Sequence, residues 1–344
     1  MTDIKIGLVG AGQWGRNYVK NLAALGVLGA VCDSSSERMD AIAADFPEEQ
    51  YPDLRFTCKV DELAAMDDIA GCIVATPTEH HFPVAHKLLS AGKSCLVEKP
   101  LTDSPETSRE LCEVAEANGL TLMVGHILLY HPVVEHIKGM IERGELGEVQ
   151  YISMVRAKLG TIRRHENVMW SFAPHDISVA QYLLGSAPQS VSAVGASYVT
   201  PGIEDVTHLT LNFPGGKMAS ITSSWLDPER VTLIKVVGSQ RSAVFNDANK
   251  DAPLTVYEKG VDWDSVASDG PVKLRDGAGE HPPIAAGEAL LAECVEFVRC
   301  IREKATPRSS GRQGLENVSI LATADQSLLS GGATVQLGAA QLAQ

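Results

Sequence analysis

Five short apolar runs in the first 125 residues constrain the fold of this chain more than any other feature. Each run is rich in Val, Ile and Leu, and helical stretches separate the runs. Runs that are apolar throughout are typical of parallel strands buried on both faces, because crossover helices cover both sides of such a sheet. The pattern predicts a doubly wound α/β domain. The strands are expected at 4–9, 27–32, 71–76, 94–98 and 120–125, and the helices at 14–25, 36–44, 79–91 and 104–118.

The sequence pattern changes after residue 125. A helix is predicted near 132–143, and alternating apolar and polar positions then predict a largely antiparallel sheet with one covered face. Its strands are expected in "VQYISMVRAK", "DVTHLTLNF", "KMASITSSW" and "RVTLIKVVG". Residues 246–285 are polar and rich in Asp, Gly and Pro, which predicts a long loop, and helices near 286–304 and 314–329 follow. We therefore expect two domains, residues 1–125 and residues 126–344.

Composition narrows the class of partner. The chain has 344 residues, 44% of them hydrophobic, and a formal net charge of -14. Nucleic acids and anionic membranes are bound through basic surfaces, so this charge favours a small-molecule partner. The start "MTDIKIGLVG" lacks a signal-peptide pattern and no run reaches the roughly 18 apolar residues of a membrane helix, so we expect a cytoplasmic location. The seven cysteines include no C-x-x-C pair, which argues against a disulfide framework or a zinc knuckle.

The segment "GLVGAGQWGRN" carries a glycine motif between the first predicted strand and the first predicted helix. Gly10, Gly12 and Gly15 fit G-x-G-x-x-G, which lets a pyrophosphate approach the helix N-terminus closely. Asp33 follows the second strand, eighteen residues after Gly15, where a carboxylate can accept hydrogen bonds from both ribose hydroxyls. This order predicts a dinucleotide site, and a glycine-rich turn without a ligand is the alternative. Asp33 favours NAD over NADP because it would repel a 2′-phosphate, a preference that the three serines after it could soften.

Charged residues end the fourth predicted strand. In "SCLVEKPLTD" an apolar run stops at Glu98, Lys99 and Pro100. Open α/β sheets bind ligands at the carboxyl ends of their strands, so we expect Lys99 beside a nicotinamide, with Thr76 at the end of a neighbouring strand. A surface lysine is the alternative from position alone. The proline favours a functional residue, because it constrains the backbone there, including through a cis bond.

Five segments between residue 4 and about residue 240 form a combined pattern: the glycine motif, "ATPTEHH", "EKP", "VGHILLYHP" and "PHDISVAQYLLG". In order and approximate spacing, these segments resemble those of the glucose-fructose oxidoreductase, inositol dehydrogenase and rhizopine-catabolism (Gfo/Idh/MocA) family. The resemblance implies a Rossmann domain followed by an α/β domain with a large open sheet that often forms homo-oligomers. It also implies NAD(P)-dependent oxidation of a sugar or cyclitol carbinol, or the reverse reduction.

The same resemblance assigns candidate site residues. Lys99 matches the family lysine that hydrogen-bonds the reacting oxygen, and His175 matches the family acid/base histidine. These residue types suit hydride transfer, because an ammonium stabilises an alkoxide-like oxygen and imidazole exchanges protons near neutrality. The predicted cofactor-binding residues are Gly10, Gly12, Gln13, Trp14, Gly15, Asp33, Thr76, Pro77, His81, Glu98 and Lys99. The predicted substrate-binding residues are Lys99, His126, Arg163, Arg164, His175 and Asp176.

The sequence departs from the family pattern in two places. Ser171 stands where the family motif D-x-x-x-H has its aspartate. Asp176 is a candidate replacement, but an acid in the first turn of a helix that begins at Pro174 also has a structural explanation. The family segment VGFxxRFxP is "VGHILLYHP" here, with His126, so we expect a substrate different from that of inositol enzymes.

A basic segment leads into the predicted His175 helix. "RAKLGTIRRHENVMW" carries Arg156, Lys158, Arg163 and Arg164 before its first acid. Such a cluster can bind a phosphate or pyrophosphate, and a solvated strand edge or a subunit interface is the alternative. This region resembles family members from polysaccharide and aminosugar gene contexts, including enzymes that oxidise the 3-hydroxyl of UDP-N-acetylglucosamine.

The predicted function is hydride transfer between NAD, or NADP, and a sugar, and we favour a nucleotide sugar such as a UDP-N-acetylhexosamine at its 3-position. Alternatives are a free-sugar or inositol dehydrogenase and, from another class, a non-catalytic dinucleotide-binding regulator. No metal is expected, because two groups of histidines lack the i, i+4 spacing of helical zinc sites. These groups are His80, His81 and His86, and His126, His131 and His136.

Overall fold

The computed structural model describes residues 4–266 and 270–338. Contacts divide the chain into two units. The first unit contains the residues up to Tyr130 together with Glu288–Ser319, and the second contains His131–Gly287 and the residues from Ile320 onward. The sequence predicts a single boundary after residue 125. The contacts instead place the helical segment Glu288–Ser319, near the C-terminus, in the first unit.

The first unit is built on a parallel sheet with strand order β3-β2-β1-β4-β5-β6. All five predicted strands are present within two residues of their expected bounds, and the predicted Rossmann sheet is confirmed. The prediction missed β3 and the short helix α3 that follows it, because a three-residue strand is too short to show a hydrophobic period. The elements are β1 (Lys5–Val9), α1 (Gly15–Ala24), β2 (Leu28–Cys32), α2 (Ser36–Ala43), β3 (Arg55–Thr57), α3 (Val60–Ala64), β4 (Ile69–Val74), α4 (His81–Ser90), β5 (Ser94–Glu98), α5 (Pro105–Ala117) and β6 (Leu122–Gly125).

The rest of the chain supplies eleven strands and five α-helices among the described residues. The helices are α6 (Pro132–Glu142), α7 (Val168–Leu184), α8 (Trp263–Val266), α9 (Ala289–Glu303) and α10 (Gly311–Leu329). The strands are β7 (Val149–Ala157), β8 (Ser190–Ala196), β9 (Val206–Asn212), β10 (Met218–Ser224), β11 (Val231–Gly238), β12 (Ser242–Asn246), β13 (Leu254–Tyr257), β14 (Gly260–Val261), β15 (Leu274–Arg275), β16 (Gly279–Glu280) and β17 (Val335–Gln336).

The second unit is built on a nine-stranded sheet with order β16-β13-β12-β11-β7-β10-β9-β8-β17. Strands β7 and β10 pair in parallel, and the other pairings are antiparallel. The predicted large, mostly antiparallel sheet is therefore confirmed.

The prediction of a long loop over 246–285 is wrong. This stretch contains β13, which pairs with β12 inside the large sheet, and the small β14–β15 pair. The sequence of β13, "LTVY", has only four residues between stretches rich in Asp, Gly and Pro, so cross-strand pairing rather than local pattern defines it. Residues 267–269 of the predicted loop lie outside the described residues.

Close backbone packing holds α9 and the start of α10 against the parallel sheet of the first unit. A β-carbon at Gly71 of β4 would lie 2.7 Å from Ile301 of α9. A β-carbon at Gly314 of α10 would lie 2.5 Å from a methyl group of Val124 in β6. These glycines let each helix approach its strand, and this packing explains why the first unit is assembled from two segments of the chain.

In the part of the chain that the structure describes, no helix has the length and apolar character needed to cross a membrane.

We expect Gly314→Ala to destabilise the protein by about 1–3 kcal/mol, because the added methyl group overlaps Val124 in a packed core. Thermal or urea unfolding measures the change. Gly139→Ala in α6 is the matched control, since its methyl group meets only the flexible Arg143 side chain and alanine is the better helix former. Equal unfolding midpoints for the two variants would contradict the assigned packing of α10.

Candidate active site

The glycine loop lies where the strand order reverses between β1 and β4, the position at which open α/β sheets bind ligands. Gly10 has a φ of +97°, and a β-carbon there would lie 2.6 Å from the carbonyl oxygen of Ala75. At Gly15 it would lie 1.9 Å from the carbonyl oxygen of Gly10. At Gly12 no described heavy atom lies within 4 Å of such a carbon. Two glycines therefore permit the backbone contacts, and the middle glycine leaves space in front of α1.

The surroundings of this loop fit a dinucleotide. Gln13, Trp14 and Pro77 are exposed, so their side chains are available to a ligand. The hydroxyl of Thr76, at the exit of β4, is buried and has no hydrogen-bond partner within the described residues. Because buried polar groups are normally paired, this hydroxyl is suited to a bound polar ligand.

Asp33 occupies the predicted position after β2, and its carboxylate already accepts hydrogen bonds from neighbouring residues. Its Oδ2 accepts from the Ala11 backbone N–H at 2.7 Å, and its Oδ1 accepts from the Ser35 N–H at 2.9 Å. The Arg38 guanidinium donates to the same Oδ1 through Nε at 3.0 Å and Nη2 at 2.8 Å. Burial alone would raise the pKa of Asp33, but these hydrogen bonds outweigh burial and hold the pKa below its usual value. Arg38 thus offsets the negative charge on which the predicted preference for NAD rests.

Glu98 links the glycine loop to the predicted catalytic lysine. Its Oε1 accepts from the indole N–H of Trp14 and, at 2.7 Å, from the hydroxyl of Tyr18 in α1. Its Oε2 accepts from the backbone N–H of Lys99 at 3.1 Å. Tyr18 was not among the predicted site residues, because its apolar spacing in α1 indicates only a core position.

The segment after Lys99 is attached to the neighbouring loop through a histidine. The Lys99–Pro100 peptide bond is cis, as the sequence analysis anticipated. The ring of His81 is 1% exposed, with Nδ1 2.8 Å from the carbonyl oxygen of Pro100 and Nε2 2.9 Å from that of Thr76. Burial lowers the pKa of His81, so the ring is neutral at neutral pH. This geometry gives His81 a positioning role, and its direct contact with a cofactor stays a prediction.

His126 follows β6 and is 1% exposed. Neither ring nitrogen has a hydrogen-bond partner among the described residues. Burial, together with the charge of Lys99, lowers the pKa of His126 to about 3, so the imidazole is neutral. A neutral buried ring without partners is unusual, and its predicted contact with substrate stays a prediction.

In the second unit, α7 carries the predicted acid/base histidine. The helix begins at Val168 rather than at the predicted Pro174, and the Asn167 side chain caps it by accepting from the Trp170 N–H at 3.2 Å. Pro174 lies inside the helix, and His175 follows it in a half-buried position. The expectation that an acid lies in the first turn of this helix is therefore wrong, because the helix begins at Val168, six residues before Pro174, and its first turn contains no acid.

Asp176 forms a buried ion pair with Arg156 of β7. The Arg156 Nε donates to Asp176 Oδ2 at 2.9 Å and Nη2 donates to Oδ1 at 2.8 Å, and the Asp176 side chain is 1% exposed. Both carboxylate oxygens are thus engaged by one guanidinium. The pair fixes the residue next to His175, which favours a positioning role, while direct contact of Asp176 with substrate stays a prediction.

The other basic residues of the segment differ in their surroundings. The Lys158 ammonium lies 5.8 Å from the ring centre of Phe172. Arg163 is half-exposed and pairs with Glu166 at 2.6 Å. Arg164 is exposed, and no ion pair to it is found within the described residues. Two of the four cations are therefore already neutralised by acids.

The described residues contain no group of three or more His, Cys, Asp or Glu side chains arranged to hold a metal ion.

Comparison with known proteins matches both units to family models. Residues 4–126 match the oxidoreductase family with an NAD-binding Rossmann fold, and residues 134–244 match the GFO/IDH/MocA C-terminal domain. The chain is 29% identical over 303 residues to UDP-N-acetylglucosamine 3-dehydrogenase from Acidithiobacillus ferrooxidans, covering 88% of this chain and 90% of that protein. A solved structure of that enzyme has a TM-score of 0.81 at 25% identity, covering 96% of this chain and 99% of the other.

A second relative has a different named substrate. Inositol 2-dehydrogenase from Rhizobium meliloti is 26% identical over 353 residues, covering 95% of this chain and 96% of that protein. A levoglucosan dehydrogenase solved with NADH and L-sorbose shares the fold, with a TM-score of 0.82 at 19% identity and coverage of 98% and 100%.

The Asp33–Arg38 pair generates a prediction about cofactor preference. We expect NADH to bind several-fold more tightly than NADPH, because Asp33 accepts from a ribose hydroxyl and repels a 2′-phosphate. We expect Arg38→Ala to widen this ratio by about threefold or more, because the Asp33 charge then faces the 2′-phosphate without its guanidinium. Fluorescence titration with both dinucleotides measures the two dissociation constants.

Lys20→Ala is the matched control, since it removes one exposed cation from α1 without touching Asp33. Equal affinity of the wild-type protein for NADH and NADPH would contradict the role of Asp33. An unchanged ratio in Arg38→Ala would remove Arg38 from cofactor selection.

Proposed function

This chain belongs to the GFO/IDH/MocA family of NAD-binding oxidoreductases, and we propose that it transfers a hydride between nicotinamide and a carbinol carbon of a sugar. One observation carries the proposal. In the first unit, the carboxylate of Glu98 contacts both the glycine loop, through Trp14, and the backbone of Lys99. The lysine is therefore attached to the same end of the sheet as the predicted dinucleotide site.

The proposed chemistry divides between two side chains. Bound NAD would accept the hydride in the oxidative direction. The Lys99 ammonium stabilises negative charge on the carbinol oxygen, and His175 takes the hydroxyl proton. In the reverse direction the same two groups stabilise the developing alkoxide and protonate it. The assignment of these roles rests on the match of both residues to the family motifs.

We propose a nucleotide sugar as the substrate class. The 29% identity to a UDP-N-acetylglucosamine 3-dehydrogenase over most of both chains supports this class. The exposed cations before α7 also support it, since a pyrophosphate binds guanidinium groups through charge-assisted hydrogen bonds. Because Arg163 is already paired with Glu166, Arg164 is the more available of the two arginines.

Two alternatives have specific support. A free-sugar or inositol dehydrogenase is supported by the 26% identity to inositol 2-dehydrogenase. A dinucleotide-binding regulator is supported only by Ser171, which replaces the family aspartate. Tight NADH binding without turnover of any carbinol or ketone would identify the regulator.

We also propose that the large sheet forms a homo-oligomer. Tyr151, Val194 and Met218 are 40%, 50% and 38% exposed and, by strand register, share one face of the sheet. Exposed apolar side chains on the open face of a large sheet are a common feature of interfaces between copies.

We expect Lys99→Ala and His175→Ala to retain NADH binding but to lose about 100-fold or more in kcat. The loss of an oxyanion partner or of an acid/base group slows the chemical step, while the glycine loop still binds the dinucleotide. NADH titration and nicotinamide absorbance during turnover measure the two properties separately. A near-normal kcat in either variant would remove that residue from the mechanism.

We expect Arg164→Ala to raise KM for a UDP-sugar about tenfold, with a smaller effect on kcat, because a lost charge-assisted contact costs about 1.5–3 kcal/mol of binding. Arg163→Ala should have the same kind of effect, but a weaker one, because Glu166 already engages its guanidinium. The same variants assayed on the corresponding free sugar are the control. An equal loss on both substrates, or faster wild-type turnover of the free sugar, would contradict the pyrophosphate role.

A further inference from the structure

A fully buried carboxyl group, Glu293, lies in α9 outside every motif described above. It is 0% exposed, and α9 buries Leu290 and Phe297 on the same face. Burial, and then repulsion from Glu98, raises the pKa of Glu293 well above its usual value. A buried acid with no cation as a hydrogen-bond partner in the described chain is stable only in its neutral form.

The hydrogen bonds of the Tyr18 hydroxyl also require Glu293 to be protonated. The Tyr18 hydroxyl oxygen lies 2.7 Å from Glu98 Oε1 and 3.0 Å from Glu293 Oε2. A tyrosine hydroxyl has one proton, so it can donate to only one of these two oxygens. The other contact requires a proton on a carboxyl group.

That proton belongs to Glu293. Glu98 already accepts from the Trp14 indole N–H and from the Lys99 backbone N–H, as an ionised carboxylate does. Protonated Glu293 therefore donates to Tyr18, and Tyr18 donates to Glu98. The three side chains form a hydrogen-bond chain with one direction, from the interior to the end of β5.

The backbone at Gly125 leaves room for the three hydrogen-bonded side chains. A β-carbon at Gly125, the last residue of β6, would lie 3.0 Å from Glu98 Oε1 and 3.2 Å from the Tyr18 hydroxyl oxygen. The carboxylate and the hydroxyl thus occupy the space that a side chain at Gly125 would take. Their positions depend on close packing as well as on hydrogen bonds.

We propose that Glu293 is a positioning residue that, as a neutral acid acting through Tyr18, holds the Glu98 carboxylate against Trp14 of the glycine loop and the backbone of Lys99. Its effect on the dinucleotide follows from the contact with Trp14. Its effect on turnover rests on the proposed function, in which Lys99 stabilises the reacting oxygen.

Three variants test the proposal through NADH affinity and Trp14 fluorescence. Glu293→Leu and Tyr18→Phe break the chain, and each should raise the NADH dissociation constant about five- to tenfold, the effect of one lost hydrogen bond. Both should also change the emission of Trp14, isolated as the difference from the same variant carrying Trp14→Phe. Glu293→Gln keeps a neutral donor toward Tyr18, so it should restore NADH affinity and Trp14 emission to near the wild-type values.

Phe297→Leu is the matched control, because it removes packing from the same buried face of α9 without touching the hydrogen-bond chain. It should lower the unfolding temperature while leaving NADH affinity unchanged. Equal loss of affinity in Phe297→Leu and Glu293→Leu would overturn the proposal in favour of a purely structural role. Equal damage in Glu293→Gln and Glu293→Leu would overturn the neutral donor.

These measurements need no substrate, so they separate the two proposals. Wild-type protein that turns over no carbinol would defeat the proposed function, yet NADH affinity and Trp14 emission in the variants would still decide the role of Glu293. Unchanged affinity and emission in both Glu293→Leu and Tyr18→Phe would defeat the positioning role, whatever the enzyme oxidises.

Discussion

The rest of the first unit depends on the contact between the glycine loop and the exit of β4. The Gly10 α-carbon approaches the Ala75 carbonyl so closely that a β-carbon would lie 2.6 Å away, and Gly15 packs on Gly10 with even less room. This contact brings two strand-end loops together at the reversal of strand order. The space in front of Gly12 exists because its two neighbours in the motif remove the side chains that would fill it.

Buried and partly buried polar contacts then fix the positions of the side chains around that space. His81 spans the Thr76 and Pro100 carbonyls, and Glu98 spans Trp14 and Lys99. In the second unit, the Arg156–Asp176 pair performs the same task beside His175. Each of these groups costs free energy to bury and is retained with its partners satisfied, which is expected where geometry matters more than stability. The residues predicted to bind ligands thus include several that act on their neighbours.

Some of the candidate site could be proposed from the sequence because its signals are local. The glycine motif, Asp33, the "EKP" strand end and the family match of His175 all lie within short segments whose residue types determine their chemistry. The start of α7 was mispredicted for a local reason as well, since proline is common in the first turn of helices and Pro174 was assigned there. The Asn167 cap, seven residues earlier, begins the helix instead.

The sequence by itself determined the parallel sheet and the dinucleotide motif, because periodicity and short-range spacing encode strands, turns and strand ends. The candidate catalytic pair, Lys99 and His175, rests on the resemblance of their motifs to those of the family and stays a prediction. Only the tertiary structure decided that α9 and the start of α10 complete the first unit, and that Asp33 is neutralised by Arg38. It also decided that Tyr18 joins Glu98 to Glu293, a residue 275 positions away from Tyr18 in the chain. Such contacts depend on which surfaces pack together and on which buried polar groups then remain to be satisfied, and no local pattern in the chain records that information.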